Sequence, residues 1–109
     1  MTEITNVKGL LIDLEGVLYS DSKLISGSIE AIKELRKNNL KLRFLTNTTT
    51  TPRNLIFNKL LDFGFNIKEE EIFTPIIATK NYLRDNRVKK IALVTNVEII
   101  EEFNDYEIT

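Results

Sequence analysis

Leu10-Leu11-Ile12-Asp13-Leu14-Glu15-Gly16-Val17-Leu18 is the stretch that decides the fold. Its apolar run has no polar alternation, which predicts a central strand covered on both faces, from about Val7 to Asp13. The strand delivers Asp13 to its C-terminal end. In open α/β sheets, ligands bind just outside the carboxyl ends of the strands. Asp13 and Glu15 are two apart, so an extended backbone points both side chains to one side. Gly16 allows a sharp turn and gives a ligand access to the backbone. Two carboxylates there suit a hard cation such as Mg²⁺. They also suit divided labour, one as nucleophile and one as proton donor. An isolated Asp-x-Glu-Gly is an ordinary polar turn. The apolar residues on both sides of this one favour the functional reading.

Outward from this stretch the chain alternates helix and strand. Ile29, Ile32 and Leu35 share one face of a helix expected over Ser28–Lys37. Its acids come early and its bases late, as the helix dipole prefers. Leu40–Thr46 alternates as a second strand. Thr51-Pro52 predicts a helix with Thr51 at the cap and Pro52 at the first helical position, stopping at Gly64. Ile72-Phe73 reads as a short strand. Thr74-Pro75 repeats the start signal for a helix to about Asp85. Ile91–Val94 reads as a buried strand, and Thr95–Glu98 as a capping box opening a helix to Phe103. Tyr106–Thr109 resembles the start of another strand. The expected fold is α/β, a Rossmann-like, doubly wound parallel sheet.

At the end of the second strand lies Phe44-Leu45-Thr46-Asn47-Thr48. A hydroxyl and an amide there, followed by a helix N-terminus at Pro52, suit a phosphate. Alone these are ordinary loop residues. Their weight comes from two adjacent parallel strands ending side by side, one in Asp and one in Thr-Asn.

Composition narrows the chemistry. The 109 residues are 42% hydrophobic and 28% charged, with 15 basic and 16 acidic side chains and a net charge of -1. That balance excludes the strong basic field of a dedicated nucleic-acid binder and argues against an anionic membrane surface. There is no Cys and no His. Thiolate chemistry, zinc thiolates and the Ser-His-Asp triad are therefore absent. The start Met1-Thr2-Glu3-Ile4 has no leader pattern, and no apolar run approaches a membrane span. A cytoplasmic location is the expectation.

The segments Asp13–Leu18 and Leu45–Thr49 resemble motifs one and two of the haloacid-dehalogenase-type (HAD-like) phosphohydrolase superfamily. Pro52–Phe65 and Glu70–Pro75 are similar to its branch with a large cap inserted after motif two, in particular the phospholysine phosphohistidine inorganic pyrophosphate phosphatase group. The resemblance implies that Asp13 is the nucleophile and a Mg²⁺ ligand. Position 15 would ligate Mg²⁺ through its backbone carbonyl and act as general acid and base. Thr46 and Asn47 would bind the transferring phosphoryl group, and Gly16 is the motif glycine. The implied partner is a small phosphorylated substrate or pyrophosphate. Residues 1–77 would form the N-terminal part of the core, and 78–109 a linker helix and the start of a cap.

Two departures accompany the resemblance. Glu15 stands where active phosphatases usually carry Asp. The added methylene moves the carboxyl group by about an ångström, a shift that can cost roughly a hundredfold in rate. The family's motif-three Lys and motif-four acids have no counterpart in the sequence. The expectation is thus a truncated chain of weak or no activity that self-associates. The competing readings are a non-catalytic fragment or binding module from an interrupted or split gene, and a receiver-like domain. The receiver fits least, because Ile72-Phe73 ends in Thr74-Pro75 and not in a phospho-accepting Asp. No Gly-x-x-x-x-Gly-Lys is present, which excludes a P-loop.

Overall fold

The structure, a computed structural model, describes residues 6–109. The reading of Met1–Ile4 lies outside them. The chain runs β1 (Gly9–Asp13), β2 (Tyr19–Ser20), β3 (Lys23–Leu24), α1 (Ser28–Lys37), β4 (Lys41–Leu45) and α2 (Arg53–Phe63). A 3₁₀ turn at Glu69–Glu71 leads into β5 (Ile72–Phe73), α3 (Pro75–Asp85), β6 (Lys90–Ile91), α4 (Val97–Ile100), a second 3₁₀ turn at Glu101–Phe103 and β7 (Glu107–Ile108). No described helix is long and apolar enough to cross a membrane.

β1, β4 and β5 form a parallel sheet in that order, with Ile12 beside Phe44, Phe44 beside Ile72 and Asp13 beside Leu45. Both crossovers step in the same direction. One handedness of connection therefore puts α1 and α2 on the same face. There Ile32 of α1 and Ile56 and Leu60 of α2 pack with Leu42, Phe44 and Ile72. The α/β, Rossmann-like architecture is as expected, and the described elements build one wound side of it. β1 departs from the expected two-faced burial. Leu10 and Ile12 pack against the core, whereas Leu11 is 72% exposed.

Local chemistry explains the helix ends. Gly27, at φ 86°, takes the left-handed turn into α1. The buried Ser28 hydroxyl donates to the Leu18 carbonyl at 3.0 Å. α2 begins one residue later than Thr51-Pro52 predicts: Pro52 is the cap, at ψ 152°, and Arg53 is the first helical residue. The proline ring fixes φ but leaves ψ free to stay extended. Gly64, at φ 105°, stops α2 as expected. Thr74 caps α3 by accepting the Ile77 N–H at 3.2 Å.

Arg36 locks α1 to the segment before β5. Its guanidinium meets Glu71 through two bonds of 3.0 and 2.7 Å, and its Nε–H donates to the Asn66 carbonyl. Glu71 also accepts the Lys68 N–H. Burial alone would raise the Glu71 carboxyl, but the Arg36 and Lys68 bonds outweigh it and hold it below the usual carboxylate range.

A second, thinner cluster joins Ile76 of α3, Ile99 of α4 and Phe103. β6 and β7 pair in parallel beside it, as the strand reading of Tyr106–Thr109 predicts. The expected strand over Ile91–Val94 is shorter: only Lys90–Ile91 pairs, and Val94 is fully exposed. The capping box at Thr95–Glu98 does not form. Asn96 is the cap, the Thr95 hydroxyl donates to the Asn96 side-chain carbonyl, and Glu98 accepts from the Asn96 amide. α3 runs unbroken through positions 77 and 78.

Candidate active site

The two parallel strands end side by side. β1 finishes at Asp13, paired with Leu45, the last residue of β4. Leu14, fully buried, donates its N–H to the Leu45 carbonyl at 3.1 Å and to Asp13 Oδ1 at 2.8 Å. The first bond holds the chain on the sheet for one residue more. The second fixes one carboxylate oxygen of Asp13. On β4, Thr46 donates its N–H to the Phe73 carbonyl of β5, and its hydroxyl accepts the Thr48 N–H at 3.3 Å. The loop after β4 thus turns on Thr46.

A groove of about 510 Å³ opens at these strand ends. Asp13, Thr46 and Asn47 line it together with Phe73, Thr74, Pro75 and Ala78. The structure therefore brings three of the sequence-predicted residues to one place. Their chemistry is an exposed carboxylate, a hydroxyl and an amide. Such a set can supply a nucleophile and two neutral donors to an anion. Phe73 and the first turn of α3 form a wall that sequence reading did not assign. Thr74-Pro75 signals a helix start, and nothing in that signal says which groove the helix borders.

Glu15 stands apart. It does not line the groove, and its Oε1 accepts the Asp21 N–H at 2.8 Å, in the turn between β2 and β3. Gly16, at φ 81°, makes the turn the sequence predicts, and its N–H donates to the Tyr19 carbonyl at 2.7 Å. Tyr19 packs below: burial, and then the charges of Glu15 and Asp13, push its phenol above the ordinary value. That phenol therefore senses both carboxylates.

Pro52 and Arg53, at the N-terminus of α2, are not among the residues that line this groove. Pro52 and Arg53 line a separate cleft of about 590 Å³ between α2, α3 and α4, which shares Thr74 with the strand-end groove. That cleft is larger but holds none of Asp13, Thr46 or Asn47. Asp13, Thr46 and Asn47 come together only in the smaller groove.

A parallel α/β core with an Asp at the end of its first strand, beside a Thr-Asn pair at the end of the next, is a Rossmann-like fold with polar groups gathered where such sheets take their ligands. The chain belongs to the haloacid dehalogenase-like hydrolase family, whose match covers residues 10–109. It is 36% identical over 88 residues to haloacid dehalogenase-like hydrolase domain-containing protein 2 of Rattus norvegicus, covering 81% of this chain and 34% of that protein. It is 35% identical over 106 residues to the phospholysine phosphohistidine inorganic pyrophosphate phosphatase of Xenopus laevis, covering 93% of this chain and 39% of that protein. In structure it is similar to the p-nitrophenyl phosphatase from Archaeoglobus fulgidus, with a TM-score of 0.84 and 28% identity, over 94% of this chain and 40% of that one. The chain thus spans well under half the length of these relatives.

Proposed function

We propose that the chain carries the phosphoryl-accepting half of a Mg²⁺-dependent phosphatase site, with residues 1–77 as part of the core and 78–109 as a linker helix and the start of a cap. One observation carries the reading: Asp13 shares a groove with Thr46 and Asn47 at the ends of adjacent parallel strands. The phosphatases among its relatives support it, and the substrate class is a small phosphorylated molecule or pyrophosphate.

In this reading an Asp13 carboxylate oxygen attacks phosphorus and the bond to the leaving oxygen breaks. The Thr46 hydroxyl and Asn47 amide donate to the phosphoryl oxygens during transfer. The Glu15 carboxyl gives its proton to the leaving oxygen. A water then attacks the aspartyl-phosphate and gives its proton back to Glu15. Inorganic phosphate leaves and Asp13 is restored.

The metal donors in this chain would be the Asp13 carboxylate and the Glu15 backbone carbonyl. Both are hard oxygens of the kind Mg²⁺ takes. Among the described residues no group of three or more acidic, His or Cys side chains gathers at one point. Water and phosphate oxygens would fill the remaining positions. When bound, the ion would neutralise charge on the phosphoryl group.

The test is covalent labelling with radioactive acetyl phosphate in the presence of Mg²⁺. The expected result is an acid-stable, hydroxylamine-labile label, absent from Asp13→Asn. A label that persists in Asp13→Asn, or none in the native chain, would overturn the reading. Turnover is a separate matter. With the Asp13 carboxylate and the Glu15 carbonyl as the metal donors found among the described residues, the chain is expected to hydrolyse p-nitrophenyl phosphate no faster than Asp13→Asn does.

A further inference from the structure

Asp21, at the tip of the β2–β3 hairpin, has φ 55°, a left-handed conformation that L side chains adopt at a cost. Such strain persists only where the surroundings over-determine it. Here both backbone polar groups of the strained residue are held by charged side chains. Its N–H donates to Glu15 Oε1 at 2.8 Å, and its carbonyl accepts from Lys59 Nζ of α2 at 3.2 Å. The Lys59 ammonium also lies 4.5 Å from the centre of the Tyr19 ring, within cation–π range. Tyr19 in turn stacks on Phe63 of α2, with centroids 5.2 Å apart and planes at 25°. The hairpin is thereby fastened to α2 at its tip and at its base.

We propose that this hairpin is the holder of the Glu15 carboxylate, and that Lys59 is the positioning residue that sets it. Lys59 makes no hydrogen bond or ion pair with Glu15; it acts through Asp21. The inference rests on the reading of Glu15 as the proton donor and acceptor of the Asp13 site. It also gives the Glu at position 15 a physical reason. An Asp there is one methylene shorter. From 2.8 Å, its oxygen would retreat by roughly an ångström, past the range of a useful hydrogen bond. Glu reaches the hairpin amide where Asp does not. Glu15 is thus held about where the Gly16 turn leaves it, beside the groove and out of it, and proton transfer requires that it leave the Asp21 amide.

The experiment is solution NMR on the ¹⁵N,¹³C-labelled chain. The Asp21 amide should be shifted downfield, as for a donor to a carboxylate, and protected from exchange. Glu15→Ala and Glu15→Asp should each speed its exchange tenfold or more, with the β4 amides of Leu42 and Phe44 unchanged as a control on the fold. Lys59→Met should move the Glu15 side-chain carboxyl carbon resonance, although Lys59 does not bond to Glu15, and Lys59→Arg should return it. A merely structural lysine would leave that resonance in place. Equal Asp21 exchange in the native chain and Glu15→Ala would overturn the proposal, as would a Glu15 carboxyl carbon indifferent to Lys59→Met. These readouts need neither metal nor phosphate. Failure of Asp13 labelling would leave them standing, and their failure would leave the Asp13 reading standing.

Discussion

Two hydrophobic clusters among the described residues differ in depth. The first joins β1, β4 and β5 to α1 and α2 through side chains removed from water, Leu42, Phe44 and Leu60 among them. The second rests on Ile76, Ile99 and Phe103, with half-buried Leu83, Ile91, Leu93 and Tyr106 around them. Its strands are two residues long, and Val94 and Val97 beside it stand in solvent. Apolar burial is the main stabilising term, so the two regions should differ in resistance to opening. The site lies on the deep one. The strand ends that hold Asp13 and Thr46 are the ends of β1 and β4, and the residues behind them are the best packed in the chain. A carboxylate held at a fixed place needs such a backing.

The largest expected effect tests that difference directly. Phe44→Ala removes a fully buried ring from the centre of the first cluster and should cost about 3–5 kcal/mol, a large share of the stability of a small domain. Urea titration should show the cooperative transition lost or moved close to zero denaturant. Ile99→Ala should instead raise amide exchange at Ile91 and Ile108 while Leu42 and Phe44 stay protected. If Ile99→Ala exposed the β4 amides as well, the two clusters would be one cooperative unit and the comparison would fail.

Next in size is the Arg36–Glu71 pair, which ties α1 to the entry of β5. Hydrogen bonds to charged groups contribute about 1.5–3 kcal/mol each when a partner is left unsatisfied. Arg36→Ala should therefore cost about 2 kcal/mol, read from the urea midpoint. Glu71 is held below its ordinary value of 4.5, so its contribution is present above that pH. It is lost as pH falls through the lowered folded value. The stability gap between the native chain and Glu71→Gln should thus be full at neutral pH and should shrink below about pH 4.5. A gap that widened in acid would mean the carboxyl is raised.

The deep region was also the more legible in the sequence, for a physical reason. Ser28–Lys37 emerged with its observed ends because apolar spacing, early Glu30 and late Arg36 and Lys37 all agree. Asp13, Thr46 and Asn47 were legible from the strand ends, while in the thin region α3 was legible only because Thr74-Pro75 is a strong start signal. The thin region misled. Ala92-Leu93-Val94 has the composition of a buried strand, but only pairing partners make one, and β7 pairs no further than Ile91. The β2–β3 hairpin went unread because two-residue strands carry too little periodicity. The Glu15–Asp21 bond went unread because it spans that hairpin. Sequence spacing placed Glu15 beside Asp13; the bond of its carboxylate to the Asp21 N–H carries no signal in that spacing.

Smaller effects are expected where backbone conformation alone is at stake. Gly64 closes α2 at φ 105°, and a Cβ there would lie 3.4 Å from Ile29 Cδ1 of the facing helix. Gly16 turns at φ 81° with nothing within 4 Å of a Cβ. Each Gly→Ala change should cost about 1–2 kcal/mol for the left-handed backbone, and Gly64→Ala should cost the more because Ile29 must also give way. Melting temperatures of the two variants rank them. The reverse order would place the tighter constraint in the site turn.

The smallest effect on stability should be paired with a visible effect on association. Leu11 lies on the open face of β1, 72% exposed, beside Arg43 in the register. β1 is also an edge strand among the described residues, since β4 pairs with only one side of it. An exposed apolar residue on an unpaired strand edge is a template for another chain. The native chain should therefore associate with increasing concentration in sedimentation velocity and bind a hydrophobic dye. Leu11→Thr keeps a branched, strand-compatible side chain and removes most of the apolar surface. Because Leu11 packs on nothing in the core, the melt should change by less than about 0.5 kcal/mol, while association and dye binding both fall. A Leu11→Thr variant that melts like the native chain and associates like it would move the sticky surface to the second region, where Val94, Val97 and Ile100 are also exposed. A native chain that stays monomeric at high concentration and binds no dye would mean that the open face of β1 is tolerated as it stands.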